Sequence, residues 1–311
     1  MAITAAMVKE LREMTGAGMM DCKKALTETN GDMDAAVEFL RKNGQAKAEK
    51  KASRIAAEGI CRIASKDDTT AAVVEVNSET DFVAKNEKFQ SFVEAVAVQA
   101  VNSDAADMDA FMAEPWHEDT AKTVKDALVE KVATIGENLK IRRFEKVVAE
   151  HGCVVSYTHG GGRIGVLVEA DTDVVNDAVK EALVNVAMQV AALYPKYVST
   201  ADVSEEYKAH EKEILKAQIE NDPKMAGKPE KVIEGAVMGR LNKELKEVCL
   251  LEQVYVKAED GKQTVAQYIA QVAKDNGANL SVKKFVRFET GEGLEKKNED
   301  FAAEVAAQMG M

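Results

Sequence analysis

Apolar positions change their spacing several times along the chain, and each change marks an element. Ile3, Met7, Val8, Leu11 and Met14 fall at helical spacing, Thr15-Gly16-Ala17-Gly18 stops that run, and Cys22, Ala25 and Leu26 mark a second helix. Asn30-Gly31-Asp32 ends that helix and caps a third, whose stripe is Ala36, Val37 and Leu40 before Asn43-Gly44. Gln45 to Ala57 is rich in Ala and Lys, lacks an apolar face and reads as a helical or loose linker. Later come a short helix over Ala105 to Met112, a break at Glu114-Pro115-Trp116-His117 and a helix from Asp119 to Thr134. From Ser199 to Val248 the spacing is helical again. Val203, Tyr207, His210, Ile214 and Ala217 form one stripe, Asp222-Pro223 to Pro229 breaks it, and Ile233, Val237, Leu241 and Leu245 form the return. Stripes this narrow predict an antiparallel helical hairpin that buries one seam.

Between these helical regions the chain repeats itself. Gly136-Glu-Asn138-Leu139-Lys-Ile141-Arg142-Arg143-Phe144 parallels Gly277-Ala-Asn279-Leu280-Ser-Val282-Lys283-Lys284-Phe285 without a gap, and both read as a turn entering an alternating strand. The apolar run Thr70 to Val76, followed by Thr80-Asp81-Phe82-Val83 and a striped helix (Phe89, Phe92, Val93, Val96), parallels Arg163 to Ala170, Thr172-Asp173-Val174-Val175 and a helix striped by Val179, Leu183, Val186 and Val190. The expected fold is α+β: an N-terminal three-helix bundle, a duplicated core of two small antiparallel sheets with helices, an inserted helical hairpin and a C-terminal helix at Asp300 to Met309. The implied boundaries are 1–54, 55–151, 152–198 with 249–290, 199–248 and 291–311.

One stretch stands out against the repeat. Ser78, Thr80 and Asp81 are residues that accept backbone N–H groups at a helix start, so the strand-to-helix turn Ser78 to Asn86 can be held rigid with Phe82 at its tip. On spacing alone the simpler reading puts Phe82 under the following helix as a core residue. The alignment above sets Val174 opposite Phe82, so the sister turn does without an aromatic, which favours a function for the ring. Met19 and Met20 are adjacent and cannot both face a small core; they read either as a contact surface of flexible thioethers or as plugs at helix ends.

Composition removes whole classes of function. The chain has 311 residues and a formal net charge of −12, which disfavours binding through phosphate contacts, and the lysines between Lys47 and Arg54 have no interleaved aromatics. Cys22, Cys61, Cys153 and Cys249 are far apart and lack C-x-x-C spacing, as expected of buried thiols in a reducing compartment. His117, His151 and His210 have no partner at metal spacing, so neither metal nor other cofactor is expected. No apolar run reaches ~18 residues, and a cytoplasmic location is expected. Gly160-Gly161-Gly162-Arg163-Ile164-Gly165 has the letters of a dinucleotide fingerprint but lies between two strand patterns, where a hairpin turn is the natural reading.

Thr80-Asp81-Phe82-Val83-Ala84-Lys85-Asn86 resembles the signature of bacterial elongation factor Ts, the exchange factor for the translational GTPase elongation factor Tu. So do Thr15 to Leu26, Ile135-Gly-Glu-Asn138, Ser156-Tyr-Thr-His-Gly160, Arg163-Ile-Gly-Val166 and Arg287-Phe-Glu-Thr-Gly-Glu-Gly293. The hairpin matches only loosely. The resemblance implies a ubiquitin-associated type of N-terminal domain and a protein that binds elongation factor Tu and expels GDP without covalent chemistry, hence not an enzyme. It further implies that Thr80, Asp81, Phe82 and Val83 disturb the magnesium site of the GTPase. Arg12, Met19, Met20, Lys85, Asn86, Ile135, Gly136, His159 and Phe301 would contact the GTPase, with a homodimer inside a larger complex left open. The alternative is a ubiquitin-associated-like or chaperone-like binding module without exchange activity.

Overall fold

The computed structural model describes residues 3–225 and 227–296. Helix α1 (Ala5–Thr15) begins where the Thr4 hydroxyl accepts the Met7 N–H and ends at Gly16, which takes the left-handed conformation at φ 67°. With α2 (Met19–Glu28) and α3 (Met33–Lys51) it encloses Leu11, Cys22, Ala25, Leu26 and Ala36. The third helix does not stop at Asn43-Gly44 but runs on to Lys51 through the Ala/Lys segment. Those residues are strong helix formers, and one interior glycine costs only about 1 kcal/mol. Gly44 lies against Val129 and Ala133 of a later helix.

Strands β1 (Glu58–Ser65) and β2 (Thr70–Ser78) lead into the short helix α4 (Asp81–Ala84) and then α5 (Glu87–Asn102). After α6 (Met108–Ala113) the chain forms a small hairpin, β3 (Pro115–Trp116) and β4 (Asp119–Thr123), before α7 (Val124–Ile135) and β5 (Lys140–Val148). The helix expected from Asp119 therefore starts at Val124. Thr123 sets that start: its hydroxyl accepts the Asp126 N–H while the Asp126 carboxylate accepts the Thr123 N–H, a capping box that the apolar stripe did not reveal. The second half runs β6 (Cys153–His159), β7 (Ile164–Thr172), α8 (Asp177–Leu193), α9 (Glu205–Glu220), α10 (Glu230–Val248), α11 (Val265–Asn276) and β8 (Leu280–Glu289). Residues 160–163 form the β6–β7 hairpin turn.

The small antiparallel sheets and their helices make the fold α+β. The sheets are β1-β2-β5 and β6-β7-β8, every neighbouring pair antiparallel. Their inner faces meet through Cys61, Val73, Val147, Leu167, Val286 and Phe288. Their outer faces are covered by α5 and α7 on one side and by α8 and α11 on the other. The four cysteines are buried and free.

The two halves correspond in detail. Each central strand carries a bulge after a glutamate, at Glu75/Val76 and at Glu169/Ala170. Gly59 and Gly152 pass so close to these bulges that an added Cβ would lie 2.1 Å from the Val76 carbonyl oxygen and 2.2 Å from that of Ala170. Only glycine fits there, at φ 127° and 97°. In α5 the buried Gln99 donates to the Pro115 carbonyl and accepts from the His117 N–H; in α8 the buried Gln189 holds the Val254 carbonyl and the Val256 N–H in the same way.

Glu75, fully buried, joins the halves. Its carboxylate accepts from Arg142 Nη1 (3.0 Å), Arg143 Nε (2.6 Å), Asn77 Nδ2 (3.0 Å) and the Gly291 N–H (2.8 Å), the last from the segment that follows β8. The hairpin α9–α10 has a separate small core of Val203, Leu215, Ile219, Val237, Leu241, Leu245 and Cys249. Its first stripe differs from the expected one. Leu215 and Ile219 face inward, whereas His210, Ile214 and Ala217 are exposed. Adjacent Ile214 and Leu215 fit two helical registers equally well, and packing against α10 decides between them.

Candidate functional site

The turn after β2 closes on itself. Ser78 Oγ donates to the Thr80 carbonyl (3.0 Å), and Thr80 Oγ1 accepts the Val83 N–H as N-cap of α4. Asn86 Oδ1 then accepts the Lys88 N–H as N-cap of α5. Lys85 Nζ donates to Asp81 Oδ2 at 2.6 Å, and this ammonium holds the Asp81 carboxyl below its usual pKa. Ala84 is buried and Val83 packs on the core beneath. Phe82 is 81% exposed, so of the two readings open to it the core position is not the one it takes. A single helical turn rotates Val83 and Ala84 inward and leaves the ring outward.

A second loop meets this turn. Helix α7 ends at Gly136, left-handed at φ 91° and exposed, with Ile135 half-buried before it. Glu137 then reaches across: its Oε2 accepts the N–H groups of Glu79 and Thr80 at 3.1 Å each, and its Oε1 accepts the Thr80 hydroxyl at 2.7 Å. In return Glu79 Oε1 accepts the Asn138 N–H at 2.6 Å. The end of α3 joins them. Lys51 Nζ donates to the Gly136 carbonyl, the Arg54 carbonyl accepts from Asn138 Nδ2, and Arg54 pairs with Glu79. Partial burial, reinforced by the Arg54 charge, lowers the Lys51 pKa.

The geometry revises the alignment of the two halves at this turn. Thr172 Oγ1 donates to the Val174 carbonyl as Ser78 does to that of Thr80. Asp173 accepts from the Asn279 N–H as Glu79 does from that of Asn138. Asn176 caps α8 as Asn86 caps α5. Thr80 therefore corresponds to Val174, and one residue, Val175, spans what Asp81 to Lys85 span in the first half. Asp81 to Lys85 contain an insertion of a helical turn with no counterpart, and Val174 is not the partner of Phe82. Identity of the letters Thr-Asp misled the alignment; the hydrogen bonds fix the register.

A family model described as elongation factor TS matches residues 79–292. Curated proteins named elongation factor Ts are 54% identical from Clostridioides difficile (strain 630), over 308 residues, and 50% identical from Clostridium novyi (strain NT), also over 308; each alignment covers 99% of both chains. Another, from Clostridium tetani (strain Massachusetts / E88), is 50% identical over 308 residues with the same coverage. The chain belongs to the elongation factor Ts family.

The other residues that the family resemblance implied are spread over the surface. Met19 and Met20, 59% and 74% exposed, occupy the first turn of α2, with exposed Arg12 in the last turn of α1. Met14 on α1, expected in the apolar stripe, is exposed as well. His159, exposed, ends β6 with Nδ1 3.0 Å from the Tyr157 hydroxyl. Phe301 lies outside the described residues. The structure thus brings Thr80 to Asn86 together with Ile135 and Gly136 and leaves the methionines and His159 on other elements. Sequence reading assigned no role at this site to Glu137, Glu79, Lys51 or Arg54. One signal was available for Glu137, since the repeat sets Ala278 opposite it. Among the described residues no group of three or more His, Cys, Asp and Glu is arranged to hold a metal, and no helix is long and apolar enough to cross a membrane.

Proposed function

We propose that the protein is the guanine-nucleotide exchange factor for elongation factor Tu: it binds the GDP form, promotes GDP release and lets GTP rebind. The observation that carries this reading is an aromatic ring held almost fully in solvent at the tip of a turn fixed by its own caps, in a chain of the elongation factor Ts family. An exposed, fixed ring suits insertion into a partner. A phenyl group supplies no ligand for magnesium, so what it can do there is displace. Magnesium bridges nucleotide phosphates and protein oxygens, and loosening it removes a large electrostatic share of GDP binding. Linkage sets the condition for the whole surface: the factor must bind the empty GTPase more tightly than the GDP form, and GDP weakens the factor by the same ratio.

In this reading Thr80, Asp81, Phe82 and Val83 act at the magnesium side, while Ile135 and Gly136 reach the phosphate side. Arg12, Met19, Met20, Lys85, Asn86 and His159 hold the partner, and no covalent chemistry is done. Residues 1–54 serve as a docking domain, the two halves as the exchange core, and 199–248 as a separable contact arm; the site of action is the cytoplasm. The test is release of fluorescent GDP from elongation factor Tu with and without the chain. Acceleration that saturates with the factor supports the proposal, and no acceleration refutes it. Capture of ubiquitin or unfolded chains without any GTPase effect would favour the binding-module alternative.

A further inference from the structure

The comparison of the two halves separates what the fold needs from what the turn needs. Both halves tie the end of the central strand to the loop before the last strand through a carboxylate accepting an asparagine N–H, Glu79 to Asn138 and Asp173 to Asn279. That tie is structural and common. Glu137 is not common, because Ala278 stands in its place. Its three acceptor contacts go to Glu79 and Thr80, which lead directly into the inserted turn, and one is to the Thr80 hydroxyl, the group that caps α4. With Val174 in place of Thr80, the second half has neither the hydroxyl nor the glutamate that receives it. The extra turn and the extra carboxylate occur in the same half.

We infer that Glu137 is a positioning residue for exchange, clasping the Phe82 turn to the Ile135–Gly136 loop so that both meet the GTPase as one rigid unit. The inference rests on the exchange reading above. The carboxylate anchors the N-terminal end of α4 while the Thr80 hydroxyl holds the Val83 N–H, so the ring direction is set before the partner arrives. The same residue follows Gly136 directly, which fixes the spacing between the two contact points. A ring whose turn wanders still docks through the rest of the surface but reaches the displacing pose less often.

The test is a mutant cycle in the full-length chain, read as the maximal rate of labelled GDP release from elongation factor Tu and as the factor concentration at half that rate. Glu137→Ala is expected to lower the maximal rate about tenfold, within the roughly hundredfold that a misplacement of about 1 Å can cost, while half-saturation moves less than about threefold. Glu137→Gln, which keeps one acceptor oxygen, should fall between. Because Glu137 acts in part through Phe82, adding Glu137→Ala to Phe82→Ala should slow release by clearly less than the tenfold it costs in the wild-type background. Amide hydrogen exchange at Thr80 and Val83 should quicken in Glu137→Ala while amides in the β-sheet keep their protection. Should Glu137→Ala not fold, Glu137→Gln carries the same cycle. A wild-type rate in both Glu137 variants, or losses that multiply in the double variant, overturns the positioning role. A Phe82→Ala variant as fast as wild type instead overturns the wedge reading on which the inference stands.

Discussion

Replacing Phe82 with Ala should separate stability from the proposed exchange activity. A Phe side chain can bury on the order of 200 Å². Phe82 is 81% exposed, so about a fifth of that area is covered, and at ~25 cal/mol per Å² its truncation costs about 1 kcal/mol. The control is Phe89, fully buried on the inner face of α5, whose truncation should cost about 3–5 kcal/mol. Val174 cannot serve as the control, because it corresponds to Thr80. Urea unfolding of the two variants should show that contrast. In the exchange assay at saturating factor, Phe82→Ala should lower the maximal GDP release rate most in abundant magnesium, and a chelator should nearly erase its difference from wild type. A stability loss above about 2 kcal/mol would mean that the ring packs in the fold after all. A defect that persists unchanged in chelator would refute magnesium displacement.

Three further outcomes follow from other parts of the structure. Charging Met19 and Met20 to Glu should weaken complex formation measured by titration calorimetry while changing stability by less than about 0.5 kcal/mol, since both side chains are exposed; a large fall in Tm would place them in the bundle core. Replacing residues 204–246 with a short Gly linker should leave a core that still unfolds cooperatively and keeps part of its exchange activity, because the arm packs on its own cluster; loss of cooperativity would make the arm part of the core. Asp126→Ala should cost about 1 kcal/mol at pH 7 by removing a capping box. The Asp126 carboxyl is held below its ordinary value chiefly by the Thr123 N–H, so its contribution is complete above the unfolded carboxylate pKa and is lost as pH falls through the lower folded one. Wild type and variant should therefore converge in urea unfolding below about pH 4, and a gap that widens there would contradict the assignment.

Helical spacing located the first two helices, the stripe of α5 and the arm because each rests on a run of apolar residues with one dominant period. It failed where hydrogen bonds set the boundary. Thr123 and Asp126 are a short polar pair, and the stripe before them gave no sign that Asp119 to Thr123 is a strand. Asn43-Gly44 looked like a stop, yet tertiary contact with Val129 and Ala133 accompanies a helix that runs through it. The site divides in the same way. Spacing alone favoured a core place for Phe82; the family resemblance singled it out, together with an alignment to Val174 that the hydrogen bonds overturn, whereas the Glu79, Glu137, Lys51 and Arg54 contacts join residues far apart in sequence, and single-sequence patterns carry no record of such pairings. The repeat came nearest to showing them, through Ala278 opposite Glu137.

The magnitude of what one ring can do bounds the rest of the surface. About four fifths of Phe82 is open to solvent, so full insertion into a partner would remove on the order of 160 Å² of apolar area from water, roughly 4 kcal/mol. At about 1.4 kcal/mol per decade this amounts to about three decades of preference for a partner state that admits the ring over one that does not. By reciprocity GDP and magnesium together would be weakened by at most that factor through the ring. Rigidity decides how much of it is realised, because a turn that must be ordered on binding spends part of the gain on lost conformational freedom. The caps at Thr80 and Asn86 and the clasp to Glu137 place that ordering in the folding of the free protein. Weakening of GDP affinity beyond three decades must then come from contacts other than Phe82 that also differ between the empty and GDP forms, and Ile135 and Gly136, held to the same turn, are the nearest candidates.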